Sequence, residues 1–209
     1  MALDKSQLAK VIDDLYQAEE IKLADIPDLE LYMDQLLTFL NGKLEPLKRD
    51  TDDKLLTKTM INNYTKYQLL IPPKNKKYNK EHILLLILVF QLKNIFSISD
   101  IKRLFSPVLK DLETPDDDVI PLRDIYSSFL DLKKEQFVEF CERFSEKVSS
   151  IGEKASAIEP LENRTVAERF LTVLMLAAQA NAAKRLAERI IDIYFAGDAG
   201  SCGEIDQNQ

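Results

Sequence analysis

The 209-residue chain has little glycine, two cysteines and a single histidine, and each scarcity closes off a class of protein. Five glycines, in a chain where few segments alternate apolar and polar residues, argue against extensive sheet and leave no glycine-rich loop to cradle a phosphate. Cys141 and Cys202 stand far apart and outside any C-x-x-C pair, which argues against a disulfide framework and a structural zinc site. His82 opens an apolar segment with no partner in view for metal or acid–base work, so a structural role is expected. No nucleophile stands beside a base, and the sequence predicts neither an enzyme nor a cofactor. Cys141, between Phe140 and Phe144, reads as a core residue. Long apolar runs are also missing: the longest, Ile83 to Phe90, is eight residues against the roughly 20 a spanning helix needs, so no membrane is expected. The N-terminus turns polar at once, without the apolar core of a signal peptide, and a cytoplasmic protein is predicted.

What is present is helix-forming. Hydrophobic residues make up 45% of the chain, enough for a sizeable core, and the expected fold class is all-α. The formal net charge of −7 hides a reversal along the sequence. Residues 1–53 carry 6 basic and 13 acidic side chains, residues 54–110 carry 11 and 2, and residues 111–209 carry 11 and 20. The middle block therefore stands at +9 between acidic flanks of −7 and −9. Two arrangements satisfy that pattern: a polyanion site on one basic face, or a basic block that pairs with its own flanks.

Apolar spacing predicts an amphipathic helix around Leu8, Val11, Ile12 and Leu15, in an N-terminal segment 1–25. A second helix is expected from Pro27 to a stop at Asn41-Gly42, with a loop to Asp53. Thr57 is the expected N-cap of a short third helix, which Ile71-Pro72-Pro73 ends. Lys74 to Asn79 then reads as an extended or hairpin segment, ahead of a helix from about Lys80 to Phe96 that is apolar all round. Ser97-Ile98-Ser99-Asp100 caps the next helix, with Pro107 suggesting a break near its end. Glu113 to Asp118, acidic and proline-containing, is the expected boundary between domain 26–112 and a C-terminal helical domain 113–196. Helices are expected there at Pro121–Leu130, Lys133–Ser150 and Thr165–Phe195, followed by a disordered tail, 197–209. The last helix carries a stripe, Val166, Phe170, Val173, Ala177, Ala180, Ala183, Ala187, Ile190 and Tyr194, whose small residues permit close helix approach.

Four segments of the basic block carry a resemblance. Leu56-Thr-Lys-Thr-Met-Ile-Asn-Asn-Tyr64 resembles the recognition helix of MerR-family regulators, and Leu69-Leu-Ile-Pro-Pro73 their exit from it. Lys76-Lys-Tyr-Asn-Lys-Glu-His82 resembles their wing, and Phe96-Ser-Ile-Ser-Asp-Ile101 the segment that opens their next helix. Together with Ile26-Pro27-Asp28 and Leu31-Tyr-Met-Asp-Gln35, the pattern is more narrowly similar to an uncharacterised bacterial family described as a domain of unknown function, number 1836. The MerR resemblance implies a winged helix-turn-helix with a short wing, followed by a C-terminal helical bundle that dimerises or takes an effector. It also implies a DNA-binding transcriptional regulator. Double-stranded DNA would be met by Thr57, Lys58, Thr59, Asn62 and Asn63 at base edges. Tyr64, Lys66, Lys74, Lys76, Lys77, Tyr78 and Lys80 would meet phosphates. Asn62 stands where these regulators place an arginine, and lysine replaces arginine in the wing, without its bidentate fork. The competing expectation is a helical protein-interaction module on a winged scaffold that has lost DNA binding.

Overall fold

Eight consecutive apolar residues set the centre of the molecule. Ile83 to Phe90 are all buried in a helix, α4 (Lys80–Leu92), which has protein on every side, as an all-apolar helix requires. Each fully buried leucine there contributes roughly 1.5–3 kcal/mol of transfer free energy. The structure is a computed structural model and describes residues 5–18, 21–48, 50, 52–53, 55–113 and 121–196.

Around α4 the chain lays down α1 (Lys5–Ala18), β1 (Leu31–Tyr32), α2 (Met33–Leu44), α3 (Lys58–Lys66) and β2 (Lys77–Tyr78). After α4 come α5 (Ile98–Glu113), α6 (Leu122–Ser156) and α7 (Arg164–Tyr194). The architecture is mostly helical, with two short strands among the described residues. One core joins Leu36, Leu40 and Leu44 of α2, Ile61 and Tyr64 of α3, the whole of α4, and Ile101 and Phe105 of α5. It extends past Leu112: Leu122 and Tyr126, from the first turns of α6, belong to the same cluster. Tyr126 donates its hydroxyl to the Ile21 carbonyl at 2.6 Å, and Arg123 reaches Glu81 at 2.8 Å, fastening α6 to the body. Beyond that point α6 turns its buried residues, Phe144, Val148, Ile151 and Ala155, toward antiparallel α7.

Several expected boundaries move. Helix α2 begins at Met33 rather than at Pro27, because Leu31 and Tyr32 are spent as a strand and Gln35 caps the Tyr32 amide at 2.9 Å. It also runs through Asn41-Gly42: nothing within 4 Å crowds Gly42, and the Asn41 amide is engaged elsewhere instead of closing the helix. Helix α4 ends at Leu92, four residues short of Phe96. Helix α5 continues through Pro107, forgoing one backbone hydrogen bond, and α6 is one unbroken 35-residue helix where two were expected, since Asp131-Leu132 holds no breaker. Thr57 and Ser97 are N-caps as predicted, accepting from the amides of Met60 and Asp100. Of the expected domain boundary at Glu113 to Asp118, Glu113 closes α5 and the rest lies outside the described residues, as does the tail at 197–209.

Candidate nucleic-acid interface

Nine residues make α3, and their spacing sorts them. Ile61 and Tyr64 point into the core, while Lys58, Thr59, Asn62, Asn63 and Lys66, at steps of one, three, one and three, form one exposed polar face. The helix is held from behind at its entry. Asn41 of α2 accepts from the Leu56 amide and donates to the Leu56 carbonyl, both at 3.0 Å, and Lys93 donates to the Leu55 carbonyl at 2.9 Å. Removing the Asn41 amide strands two partly buried backbone groups, at about 1–3 kcal/mol each. Lys93 is itself half-buried, its ammonium 4.3 Å from the Phe90 ring centroid, and desolvation lowers its pKa. Thr57 then caps the first turn, so the start of α3 is fixed by three separate contacts.

The chain leaves α3 through Gln68, whose left-handed φ of 58° turns it toward Ile71. His82 fastens that exit. Its Nε2 donates to the Ile71 carbonyl at 3.1 Å, and its Nδ1 accepts from the Asn79 amide at 3.2 Å, while the Asn79 side chain caps α4. Burial pushes the imidazole below its usual pKa, which the bond to Ile71 partly offsets. The predicted structural role of His82 is the one its contacts describe.

Between exit and cap lies a β-ribbon. β1 and β2 pair antiparallel, Leu31 opposite Tyr78 and Tyr32 opposite Lys77, and Lys74 bridges Lys77 from the other side. The turn Lys74-Asn75-Lys76-Lys77 closes with a 2.9 Å bond from the Lys77 amide to the Lys74 carbonyl. Asn75 and Lys76 both have positive φ, 52° and 61°, the pattern of a type I′ hairpin turn, and Lys76 occupies a region that costs an L-residue roughly 1 kcal/mol or more.

Of the residues expected to meet DNA, Lys58, Thr59, Asn62, Asn63, Lys66, Lys74 and Lys76 are exposed. Among the described residues, Lys58, Lys66, Lys74 and Lys76 make no ion pair. Lys80 instead pairs with Asp28 at 2.8 Å, holding that carboxyl below its usual pKa, and Lys77 lies 3.8 Å from Glu30 and over the Tyr32 ring. Tyr64 and Tyr78 are core residues, 5% and 4% exposed, and burial raises the pKa of both phenols. Both rings pack into the fold and are part of its core. Thr57 is partly buried, its hydroxyl oxygen committed to the cap. Cys141 is partly buried on α6, where desolvation first and Glu142 second raise its thiol pKa, the reverse of what a reactive thiolate needs.

Two clefts flank the face and share Ile71 and Pro72 as a wall. One, about 350 Å³, runs from Thr65 and Gln68 to Lys102 and Leu109, and the other, about 430 Å³, includes Lys74, Lys77, Glu30 and Glu81. Sequence reasoning missed the supports, Asn41 and Lys93. Asn41 was readable only as a stop signal, whereas the Asn75-Lys76 pair between lysines did carry a turn signal. No helix among the described residues is long and apolar enough to cross a membrane.

Fold and surface together define a mostly helical protein whose β-ribbon sits between two core helices, beside a short polar helix with a basic exposed face. Within that class, the chain belongs to the family described as a domain of unknown function, DUF1836, whose model matches residues 21–129. The match includes the start of α6, where Leu122 and Tyr126 complete the core. No curated protein and no solved structure matches the chain.

Proposed function

We propose that this chain is a DNA-binding transcriptional regulator of MerR-like winged helix-turn-helix form. Helix α3 enters a major groove, and the hairpin at Lys74–Lys77 is the wing that tracks the phosphate backbone. The observation that carries the reading is the exposed, unpaired state of Lys58, Lys66, Lys74 and Lys76, on a helix and hairpin that their neighbours fix rigidly. Asn62 and Asn63 supply amides suited to bidentate pairing with adenine, while the lysines supply charge without sequence information. Support comes from the chain order β1, α2, α3, β2, α4 and α5, which sets the Lys74–Lys77 turn between the short polar helix and the buried one. On this reading the protein works in the cytoplasm, and its C-terminal helices dimerise or take an effector.

Duplex binding should weaken steeply with salt, because each neutralised phosphate releases counterions at a slope of about 0.9 in log K per log salt. Fluorescence anisotropy on genomic duplex fragments measures this. Changing Lys58, Lys66, Lys74 and Lys76 together to Gln is expected to flatten the slope by about 3–4. Asn62→Ala should alter which fragments are selected, leaving the slope intact. Absence of binding at low salt, or equal binding by the quadruple variant, would sink the proposal.

A second reading, a protein-interaction module, is favoured by one observation: Lys77 and Lys80 are already matched by Glu30 and Asp28. Those two pairs remove part of the wing's positive charge. On this reading the quadruple variant loses an acidic protein partner and no DNA affinity.

A further inference from the structure

The two clefts beside α3 differ in charge. The one at the β-ribbon sets Glu30 and Glu81 against Lys74 and Lys77, so it favours neither sign of ligand, and its carboxylates are already paired with Lys77 and Arg123. The other lies between the exit of α3 and α5. Among the described residues that line it, Lys102 is the one charged side chain and none is acidic. Lys102 is exposed and makes no ion pair among the described residues; its ammonium donates to the Gln68 side chain at 2.8 Å. An unneutralised cation in a concave site selects for an anion.

The remaining lining says what kind of anion fits. Lys102, Ser106 and Leu109 follow at steps of four and three, so they stand one above another on one side of α5. The Ser106 hydroxyl has no hydrogen-bond partner among the described residues. An ammonium and a hydroxyl one turn apart suit the two oxygens of a carboxylate. Beyond them the lining turns apolar: Leu109 on α5 faces a wall of Leu70, Ile71 and Pro72. From Lys102 to Leu109 is about 10 Å along the helix. The cleft volume, about 350 Å³, suits a small organic molecule, and an inorganic anion would leave the apolar end empty. At the polar end the backbone is strained: Gln68, which holds the Lys102 ammonium, has a φ of 58°, a region that non-glycine residues rarely occupy and that gathers at ligand sites.

We infer that this cleft binds a small monocarboxylate with an apolar body, of the medium-chain fatty acid kind. Its carboxylate accepts from Lys102 and Ser106, and its chain lies toward Leu109 against the Leu70–Pro72 wall. The ligand takes the Lys102 ammonium from Gln68, so occupancy is felt where the chain leaves α3. The site goes beyond the DNA reading and does not rest on it. Binding is measured with no duplex present, so either can fail while the other stands.

Titration of octanoate into the full chain, followed by amide nuclear magnetic resonance, should shift the signals of Gln68, Leu70, Lys102 and Ser106 saturably at low-millimolar concentration. Butyrate should bind roughly tenfold more weakly or worse, because its shorter chain removes less apolar surface from water. Octylamine, the same chain with the opposite charge, should leave those signals in place. Lys102→Gln, at an exposed position, should keep the circular dichroism of the unchanged chain and weaken octanoate binding about threefold to fivefold. Failure to saturate, shifts spread over α7 instead of this cleft, octylamine binding as well as octanoate, or full affinity in the Lys102→Gln chain would each overturn the assignment.

Discussion

The body that ends near residue 129 and the hairpin beyond it are both helical, but they treat apolar residues oppositely. In α4 a run of eight apolar side chains is wholly buried, whereas α7, with a comparable supply, buries two residues and turns Phe170, Val173 and Tyr194 outward. The body completes its own core; the hairpin leaves several large apolar side chains uncovered. Hydrophobic content alone therefore does not tell a buried helix from an exposed one; the number of covered sides does.

That contrast is sharpest in the cost of truncation. Leu85→Ala should destabilise the body by about 2–5 kcal/mol, through lost transfer energy and the cavity left behind, read as a lowered urea midpoint. Phe170→Ala, at a ring that is 64% exposed, should change stability by no more than about 0.5 kcal/mol. Similar costs at the two positions would erase the distinction.

Acid is expected to act on the body and spare the hairpin, because the one histidine lies in the body. Burial holds His82 neutral in the folded state below its ordinary value of 6.5, so in mild acid the unfolded chain binds a proton that the folded chain refuses. Stability should be full above pH 6.5 and fall as pH drops through that value toward the depressed folded one. Urea midpoints between pH 7.5 and 5.5 test this, and His82→Gln should remove the dependence whatever it does to the midpoint itself. A slope that survives the substitution would assign the effect elsewhere.

The smallest expected effect concerns the body's own exposed face. Lys76→Gly relieves a left-handed lysine, and after the extra freedom of glycine in the unfolded chain is set against it, a net gain of about 0.5 kcal/mol is expected. If the Lys74–Lys77 turn is a DNA-contacting wing, the same change should lower duplex affinity and flatten the salt slope by about 0.9. Stability and binding moving in the same direction would show Lys76 to be structural.

How far the sequence revealed this molecule depended on the range of the interaction involved. The Thr57 and Ser97 caps and the buried run of α4 were legible, because capping and all-round apolarity are written within a turn or two of chain. The β1–β2 pairing was not, since two-residue strands are too short to show alternation, and the paired residues, Leu31 with Tyr78 and Tyr32 with Lys77, lie 47 and 45 positions apart. Asn41-Gly42 read as a stop because nothing local announces that the Asn41 amide is claimed by Leu56. Similarly, Tyr64 and Tyr78 matched a recognition pattern by residue type, while their burial depends on the packing of α2, α4 and α5. In α7 the spacing identified a stripe but not its direction, which is set by where α6 lies.

The continuity of α6 has a mechanical consequence. Thirty-five residues at 1.5 Å each make a rod of about 50 Å, clamped at its base by Tyr126 and Arg123 and free of any break along its length. Such a rod converts rotation into travel: a tilt of about 5° at the clamp displaces the far tip by about 4 Å. A small repacking around Leu122 would thus be magnified at the hairpin's end, and torque applied there would be delivered back to the core beneath α3.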